Sequence, residues 1–288
     1  MSTRSSSGYS EAPRADIQHW GFLLALDPEW RVANVSANIA DHIADCDKNI
    51  AGQPLSEVFG ASAVHALRNQ LSLLRSPQGT ARLFSLALAG SPRPIDTGMS
   101  RMGDTILLEA VPAAPDPGDP IGTVRALAAL LDRHVGLAEL LGEGARQLRA
   151  LTGFERVTIF RYTDDGQAEQ IAHEARGKHG APAPPEESDG LRMIGDVGSD
   201  PVPVDPPPGD GLLSSCLLRF PSKRECAEAR ANNAVASLTL PLRSRGRDWG
   251  VALCLNSGPK RPMLDRIAAA ELFADLLAMR AELCALRG

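Results

Sequence analysis

Short apolar runs separated by turn residues organise the first part of the chain. The run GFLLALD at residues 21–27 predicts a buried strand, and RVANVSANI predicts a second strand that turns helical. Val64, Leu67, Leu71 and Leu74 recur at helical spacing in SAVHALRNQLSLL. Strand-like segments return in ARLFSLALAG, RPIDTGMSR and DTILLEAVPA. Residues 16–112 are therefore predicted to form a five-stranded antiparallel sheet with helices across one face, behind a flexible tail at residues 1–15.

A second α/β unit is predicted for residues 121–288, after a Pro- and Gly-rich linker at residues 113–120. Helical sequence at its start leads into the strand FERVTIFRYTDDG and the hairpin partner QAEQIAHEAR. The stretch 178–211 is dominated by Pro, Gly, Asp and Glu, which predicts a long surface loop with one apolar island, LRMIGDV. The helix SKRECAEARANN, the strands ASLTLPLRSRG and DWGVALCLNS and a terminal helix complete the unit.

The terminal helix, residues 262–288, carries apolar residues in alternating steps of four and three. Such spacing is a heptad seam, which favours dimerisation through this helix. The alternative is a helix that packs only on its own sheet, since two heptads are short for a coiled coil. The seam consists of Leu272, Leu276, Met279, Leu283 and Leu286.

Composition narrows the cellular setting and the class of partner. The chain has 288 residues, 43% hydrophobic and 23% charged, with a net charge of −5, so a nucleic-acid partner is not expected. No apolar run reaches the roughly 18 residues of a spanning helix, and the first residues hold no signal-type stretch. We therefore expect a cytoplasmic protein without membrane contact, whose five cysteines stay reduced.

Residue patterns that suggest catalysis are incomplete. His173-Glu174 lacks the second histidine of a zinc-protease motif, and GEGAR at residues 142–146 lacks the strand and Lys-Ser/Thr of a phosphate loop. Asp164 and Asp165 precede a glycine and are best explained as turn formers. We expect no enzymatic activity.

Three segments, in order, resemble the PAS and GAF domains of a bacterial phytochrome. DIQHWGFLLALDPEWRVANVSANIADHI resembles the PAS entry, and TGFERVTIFRYTDDGQAE the first GAF strand pair. AVASLTLPLRSRGRDWGVALCLNSGPKRP resembles the closing GAF hairpin, with Cys254 in register. The resemblance implies an α/β (α+β) fold: a PAS domain followed by a GAF domain with a long C-terminal helix. The family's PHY domain does not follow that helix in this sequence.

Departures from the family pattern fall on the bilin site, which the resemblance locates in the GAF domain. The family's covalent cysteine corresponds to Ser6, and its Pro-Ala-Ser-Asp-Ile-Pro motif to residues 181–190 in a shortened segment. Glu225 and Asn256 stand where the family has histidines, whereas Arg219 matches a propionate-binding arginine. The resemblance thus predicts a degenerate ligand pocket of Arg219, Glu225, Cys254 and Asn256 that has lost its bilin.

Phytochromes also thread their N-terminal segment through a long GAF loop as a figure-eight knot. The corresponding loop, around MIGDVGSDPVPV, is shortened here, which leaves open whether the knot is kept.

Three functions remain open. The first is a light-independent regulatory module without a cofactor, which acts as a homodimer on a protein partner that the sequence does not name. The second is a sensor of haem, of another small ligand, or of redox state through cysteines such as Cys216 and Cys226. The third is a photoreceptor that binds biliverdin without a covalent bond. The haem-ligand candidates are His19, His42, His65, His134, His173 and His179.

Overall fold

Two antiparallel sheets, each with helices on at least one face, make up the computed structural model of the chain. It describes residues 15–43, 46, 49–75, 79–116, 118–185, 190–209 and 211–286. Ser6 and the other residues of the predicted tail before residue 15 lie outside the described residues. So do residues 186–189, which belong to the segment that replaces the family's Pro-Ala-Ser-Asp-Ile-Pro motif.

The elements follow the order expected for a PAS domain and then a GAF domain. Those of the first part are β1 (Asp16–Ile17), β2 (Phe22–Leu26), β3 (Val32–Ser36), α1 (Ile39–His42), α2 (Leu55–Phe59), α3 (Ala61–Ser72), β4 (Ala81–Leu86), β5 (Ile95–Met102) and β6 (Thr105–Pro112). Those of the second are α4 (Pro120–Leu131), α5 (Leu137–Thr152), β7 (Arg156–Tyr162), β8 (Ala168–Ala175), β9 (Arg192–Ile194), β10 (Val202–Asp205), α6 (Lys223–Ala231), β11 (Ala236–Ser244), β12 (Arg247–Asn256) and α7 (Leu264–Ala285).

The first sheet has the strand order β1-β10-β3-β2-β6-β5-β4. Five of these strands, β3, β2, β6, β5 and β4, are those predicted from the apolar runs. The additional strand β10 comes from the second part of the chain and pairs with β3, with Val204 opposite Ser36. Helices α2 and α3 cover one face, where Phe22, Leu55 and Phe59 are fully buried.

The opposite face of the first sheet packs against the second domain. Leu23, Leu107 and Val111 are buried in the same core as Phe273 and Leu277 of α7. Apolar side chains therefore line both faces of β2 and β6, which explains why GFLLALD lacks the alternation of a half-exposed strand. The two domains share a continuous core.

The second sheet has the order β8-β7-β12-β11-β9, with α5 and α7 packed on one face. Helix α5 ends at Gly153, whose positive φ of 67° suits glycine, and whose N–H donates to the Arg149 carbonyl. Within the described residues, no helix is long and apolar enough to cross a membrane.

The proline-rich stretch 178–211 is more ordered than its composition predicted. Residues 192–194 form β9, which pairs with β11, and residues 202–205 form β10. Met193 and Ile194 are buried. The prediction of a plain surface loop was wrong here because strands of three or four residues are too short to show a period in the sequence.

The N-terminal segment lies between β10 and the residues around Leu218, which follow this stretch. On one side Asp16 and Ile17 pair with Pro203 and Val202 of β10. On the other side the Gln18 N–H donates to the Leu218 carbonyl at 2.7 Å. The N-terminal segment is thus hydrogen bonded on both sides by residues of the second part of the chain.

Gln18 fastens the segment through its side chain, which is fully buried. Its Nε2 donates to the carbonyls of Met193 at 2.9 Å and Arg219 at 3.2 Å, and its Oε1 accepts from the Gly195 N–H at 2.7 Å. The end of β9 and Arg219 are therefore tied to one amide group, which satisfies backbone groups that burial would otherwise leave unpaired.

Candidate functional site

A cleft of about 970 Å³ opens on the face of the second sheet that is turned away from α5 and α7. Leu253 and Leu255 of β12 and Thr239 of β11 form its floor. Its walls are β9, helix α6 and residues 211–222, hereafter the wall segment. The cleft is therefore open space rather than a core filled by side chains.

Three charged side chains meet inside the cleft. Glu225 Oε1 accepts hydrogen bonds from Arg192 Nε at 2.8 Å and from Arg219 Nη2 at 3.0 Å. Its Oε2 accepts from Arg219 Nη1 at 3.3 Å. The side chains of Arg192 and Glu225 are only 12% and 17% exposed, so this is a largely buried ion pair with a second arginine at its edge.

The position of Glu225 follows from the start of α6. Ser222 caps this helix: its Oγ accepts from the Glu225 N–H, and Glu225 Oε2 accepts from the Ser222 N–H at 2.7 Å. This reciprocal pair is a capping box, which the sequence shows as Ser-Lys-Arg-Glu before the helix. The same carboxylate thus caps the helix and binds both arginines.

These contacts keep Glu225 ionised. Burial by itself would raise its pKa, but the hydrogen bond and charge of Arg192, the Ser222 N–H and the charge of Arg219 outweigh it, and the pKa falls to about 2. Glu225 is thus buried with charged partners rather than unpaired. Its partner Arg192 was missed because it stands in the apolar island assigned to a loop.

The predicted pocket residues do not all meet. Arg219 and Glu225 line the cleft, but Cys254 lies on the other side of the sheet, in the core with α5 and α7. Strand residues alternate between faces, so it is Leu253 and Leu255 that face the cleft. Burial raises the pKa of Cys254 to about 12, which leaves the thiol inert. Asn256 ends β12 and binds the Gly258 carbonyl instead of lining the cleft.

The cysteines proposed as a redox pair lie apart. Cys216 packs in the core shared by the two domains, whereas Cys226 lies in a separate core beneath α6. Both are buried and unpaired by any disulfide. Burial also raises the pKa of each thiol, which disfavours the reactive thiolate.

Haem and metal ligands are not gathered in the cleft. Among the lining residues that the structure describes there is neither a histidine nor a cysteine. Over the described ranges, no cluster of three or more His, Cys, Asp or Glu side chains could hold a metal ion.

The predicted seam lies on the outer face of α7. Leu272, Met279 and Leu283 are 44–49% exposed and Leu286 is 67% exposed, whereas Leu276 is half-buried. The face of α7 against the sheet is formed by other residues, among them Phe273 and Leu277. The helix thus packs on its own sheet and still presents the apolar seam to the outside.

Two protein-family models match the chain and show which family it belongs to. The GAF domain model matches residues 136–281, just over half of the chain, and the PAS fold model matches residues 13–113. The chain belongs to the GAF domain family. With the PAS fold before it, it is a phytochrome-like PAS–GAF module, as the three sequence segments predicted.

Relatives of this PAS–GAF module support the same assignment. Phytochrome-like protein Cph1 of Synechocystis is 24% identical over 287 aligned positions, which cover 91% of this chain and 38% of Cph1. The module therefore spans about two fifths of the length of this curated relative.

Solved structures share its fold. The chromophore-binding domain of the bacteriophytochrome RpBphP3 from R. palustris matches with a TM-score of 0.78 at 21% identity, covering 96% of this chain and 99% of that domain. A longer RpBphP3 structure matches with a TM-score of 0.76 at 22% identity, covering 95% of this chain and 61% of that chain.

Proposed function

We propose that this PAS–GAF module is a light-independent regulatory module that acts without a bilin. The observation that carries the proposal is the Glu225 carboxylate, which engages two of the arginines that line the cleft, Arg192 and Arg219. A bilin brings two propionate groups, and these would have to displace a carboxylate that is already ionised and hydrogen bonded at both oxygens. Displacing one partner of a buried ion pair is costly, because the charge left behind has no compensation.

The remaining lining of the cleft fits a bilin no better. Covalent attachment needs a thiol, and the described lining residues include no cysteine; the chain has none before Cys46. The positions at which the family has histidines are occupied by Glu225 and Asn256. Asn256 does not line the cleft, and its neighbour Leu255 presents an apolar side chain to it. We therefore derive no step through a bilin.

Output is proposed to pass through contacts with another protein chain. The exposed seam of α7 supports a homodimer as the functional unit, and an output partner of unknown identity would bind that dimer. Cytoplasmic location and the absence of enzymatic activity complete the proposal.

An absorbance spectrum tests the central claim. The full chain is co-expressed with a biliverdin-producing haem oxygenase, purified, and measured before and after red light. We expect no absorbance beyond the protein band, while the chromophore-binding domain of RpBphP3 prepared in the same way provides the positive control. A far-red band that changes on illumination would overturn the proposal in favour of non-covalent biliverdin, and a Soret band would do so in favour of haem.

A matched pair of variants tests whether the charge of Glu225 is what prevents bilin binding. If the Glu225 charge excludes propionates, E225Q should bind more biliverdin than the wild type, whereas E169Q, at an exposed glutamate of β8, should not. Equal and complete lack of binding by both variants would mean that the missing thiol, rather than Glu225, decides the loss.

A second candidate is a sensor of a small ligand other than bilin. The cleft volume of about 970 Å³ lies in the range of known ligand sites, and Leu253, Leu255 and Ile194 give it an apolar floor beside the charged group. Native mass spectrometry of freshly purified protein separates the candidates: a bound mass lost on denaturation supports the sensor, and the mass of the bare chain supports the ligand-free module.

A further inference from the structure

A row of residues crosses the PAS sheet on the face turned towards the GAF domain. Arg82 on β4 lies opposite Gly98 on β5, which lies opposite Glu109 on β6. Directly opposed residues of neighbouring antiparallel strands project to the same face. Arg82 and Glu109 are therefore on one face, and the residue between them has no side chain to separate their charges.

Glu109 holds the wall segment of the cleft. Its carboxylate accepts hydrogen bonds from the N–H groups of Leu217 at 3.0 Å and Leu218 at 2.7 Å, and from the thiol of Cys216. Glu109 is only 7% exposed, and Arg219 follows this cluster directly along the chain. A single PAS carboxylate thus sets the position of one cleft wall.

Arg82 forms the other end of the row. It makes an ion pair with Glu271 of α7, and both side chains are mostly buried. Glu271 directly precedes Leu272, the first residue of the exposed seam. The helix that carries the seam is therefore fastened to the PAS sheet beside the residue row.

We propose that the row Glu109–Arg82–Glu271 couples the cleft wall to the terminal helix through the PAS sheet. The inference rests on the proposed regulatory function, since it supplies a route from the cleft to the seam.

The coupling works through competition for one cation. While the wall segment is in place, two backbone N–H groups and a thiol stabilise the Glu109 carboxylate, and Arg82 is available to Glu271. If the wall segment moves away, the buried Glu109 carboxylate loses these three donors. Its charge is then stabilised mainly by attraction to Arg82, which moves towards it. The Arg82–Glu271 pair then weakens, and α7 is released from the sheet edge.

Burial and charge act on Glu109 in the directions that this competition requires. Burial raises the pKa of Glu109, while the three donors and, more weakly, the charge of Arg82 lower it. Arg82 therefore acts on Glu109 across the glycine gap while it is bonded to α7. The nearby buried Asp96 and Asp265, with Arg261, lie towards the other end of the sheet–helix contact and are left unchanged in the test.

Hydrogen exchange measured by mass spectrometry on the full chain tests the coupling. In E109Q, exchange at residues 216–219 should rise about tenfold or more, because two N–H donors lose a charged acceptor. The decisive variant is R82Q: Arg82 makes no hydrogen bond to the wall segment among those of the described residues, yet exchange there should fall at least about threefold, because Glu109 has no cation to turn to when the wall segment moves away. Adding R82Q to E109Q should then leave exchange in the wall segment at the E109Q level.

Control variants separate coupling from local damage. R82K keeps the charge and should retain near wild-type exchange in the wall segment, which excludes a folding defect as the cause. R161Q removes an exposed ion pair with Glu169 and should change neither the wall segment nor α7. If R82Q changes exchange only in β4 and α7, Arg82 is a local fastening and the coupling is wrong. A bilin spectrum would not alter this readout, so the coupling and the light-independent function fail separately.

Discussion

Glu225 shows how one residue can serve the fold and the site at once. Its side chain closes the capping box of α6, and the same two oxygens bind Arg192 and Arg219. A glutamate in a helix cap is readable from sequence, whereas its arginine partners are not, because they come from segments 33 and 6 residues away that only the fold brings together. The local half of the site could therefore be predicted, and the long-range half could not.

The lowered pKa of Glu225 predicts a pH-dependent loss of stability. The group titrates at about 2 in the folded chain and at 4.5 without perturbation, so its ionised form stabilises the fold above pH 4.5 and that contribution is lost as the pH falls towards 2. Urea unfolding of wild type and E225Q should differ in free energy at pH 6, and the difference should shrink below pH 4.5 and close only as the pH reaches about 2. A difference that is constant over this range would mean that Glu225 acts through its shape rather than its charge.

Strand parity explains why Cys254, one of the two predicted pocket residues that do not line the cleft, was misplaced. The resemblance places Cys254 in register with the family hairpin, but register along a strand does not reveal which face a side chain occupies. The structure turns Leu253 and Leu255 to the cleft and Cys254 to the helices. Asn256 fails for a different reason, since the strand ends there and its amide binds the following turn.

Among the elements, α7 was the easiest to predict and the hardest to orient. Leu and Ala occupy most of its circumference, so the sequence shows a helix with a heptad pattern but does not separate the packed face from the outer one. In the structure Phe273, Leu277 and Ala281 are fully buried, and the predicted seam lies on the outer side. The seam is therefore available to a partner chain.

The exposed seam predicts the effect of charged substitutions. The double variant L272E/M279E should shift a dimer towards monomer in light scattering after size exclusion, because it places charge in a buried apolar interface. Both positions are about half exposed in the single chain, so the variant should keep the wild-type circular dichroism spectrum. R266A, at an exposed polar position of α7, is the control and should leave the mass unchanged. An unchanged mass for L272E/M279E would remove the seam from the dimer interface.

Short strands mark the limit of prediction at this scale. The longer strands and helices follow from apolar periods, and their order identified the two domains. Strands β9 and β10 have three and four residues, lie among prolines and depend on pairing with distant partners. Their formation depends on pairing with β11, β3 and the N-terminal strand β1, and these contacts have no signature in local composition.

At the scale of the whole molecule, the PAS and GAF domains are not independent units. Strand β10 of the second part completes the first sheet, and Leu23, Leu107 and Val111 of the first sheet are buried against the second domain. Glu109 adds polar contacts to the wall segment across the same boundary. A cut at the linker would leave one face and one edge of the PAS sheet uncovered.

The shared core predicts that the PAS segment does not fold alone. A fragment of residues 15–113 should bind a dye specific for exposed apolar surface and melt without a cooperative transition, since it exposes side chains that are at most 1% exposed in the full chain. The full chain should melt in one transition under the same conditions. A fragment with a sharp melt close to that of the full chain would show that the first sheet needs neither β10 nor the GAF surface.

The pairing of the N-terminal segment also has a consequence for biosynthesis. Residues 15–18 are synthesised early, but the residues that bind them extend to Phe220. At a synthesis rate of about 5–20 residues per second, these early residues wait roughly 10 to 40 seconds before their partners exist. During that interval the nascent PAS sheet lacks an edge and a covered face, so the amount of protein a cell obtains should depend on chaperones that shield the nascent chain until these partners have been synthesised.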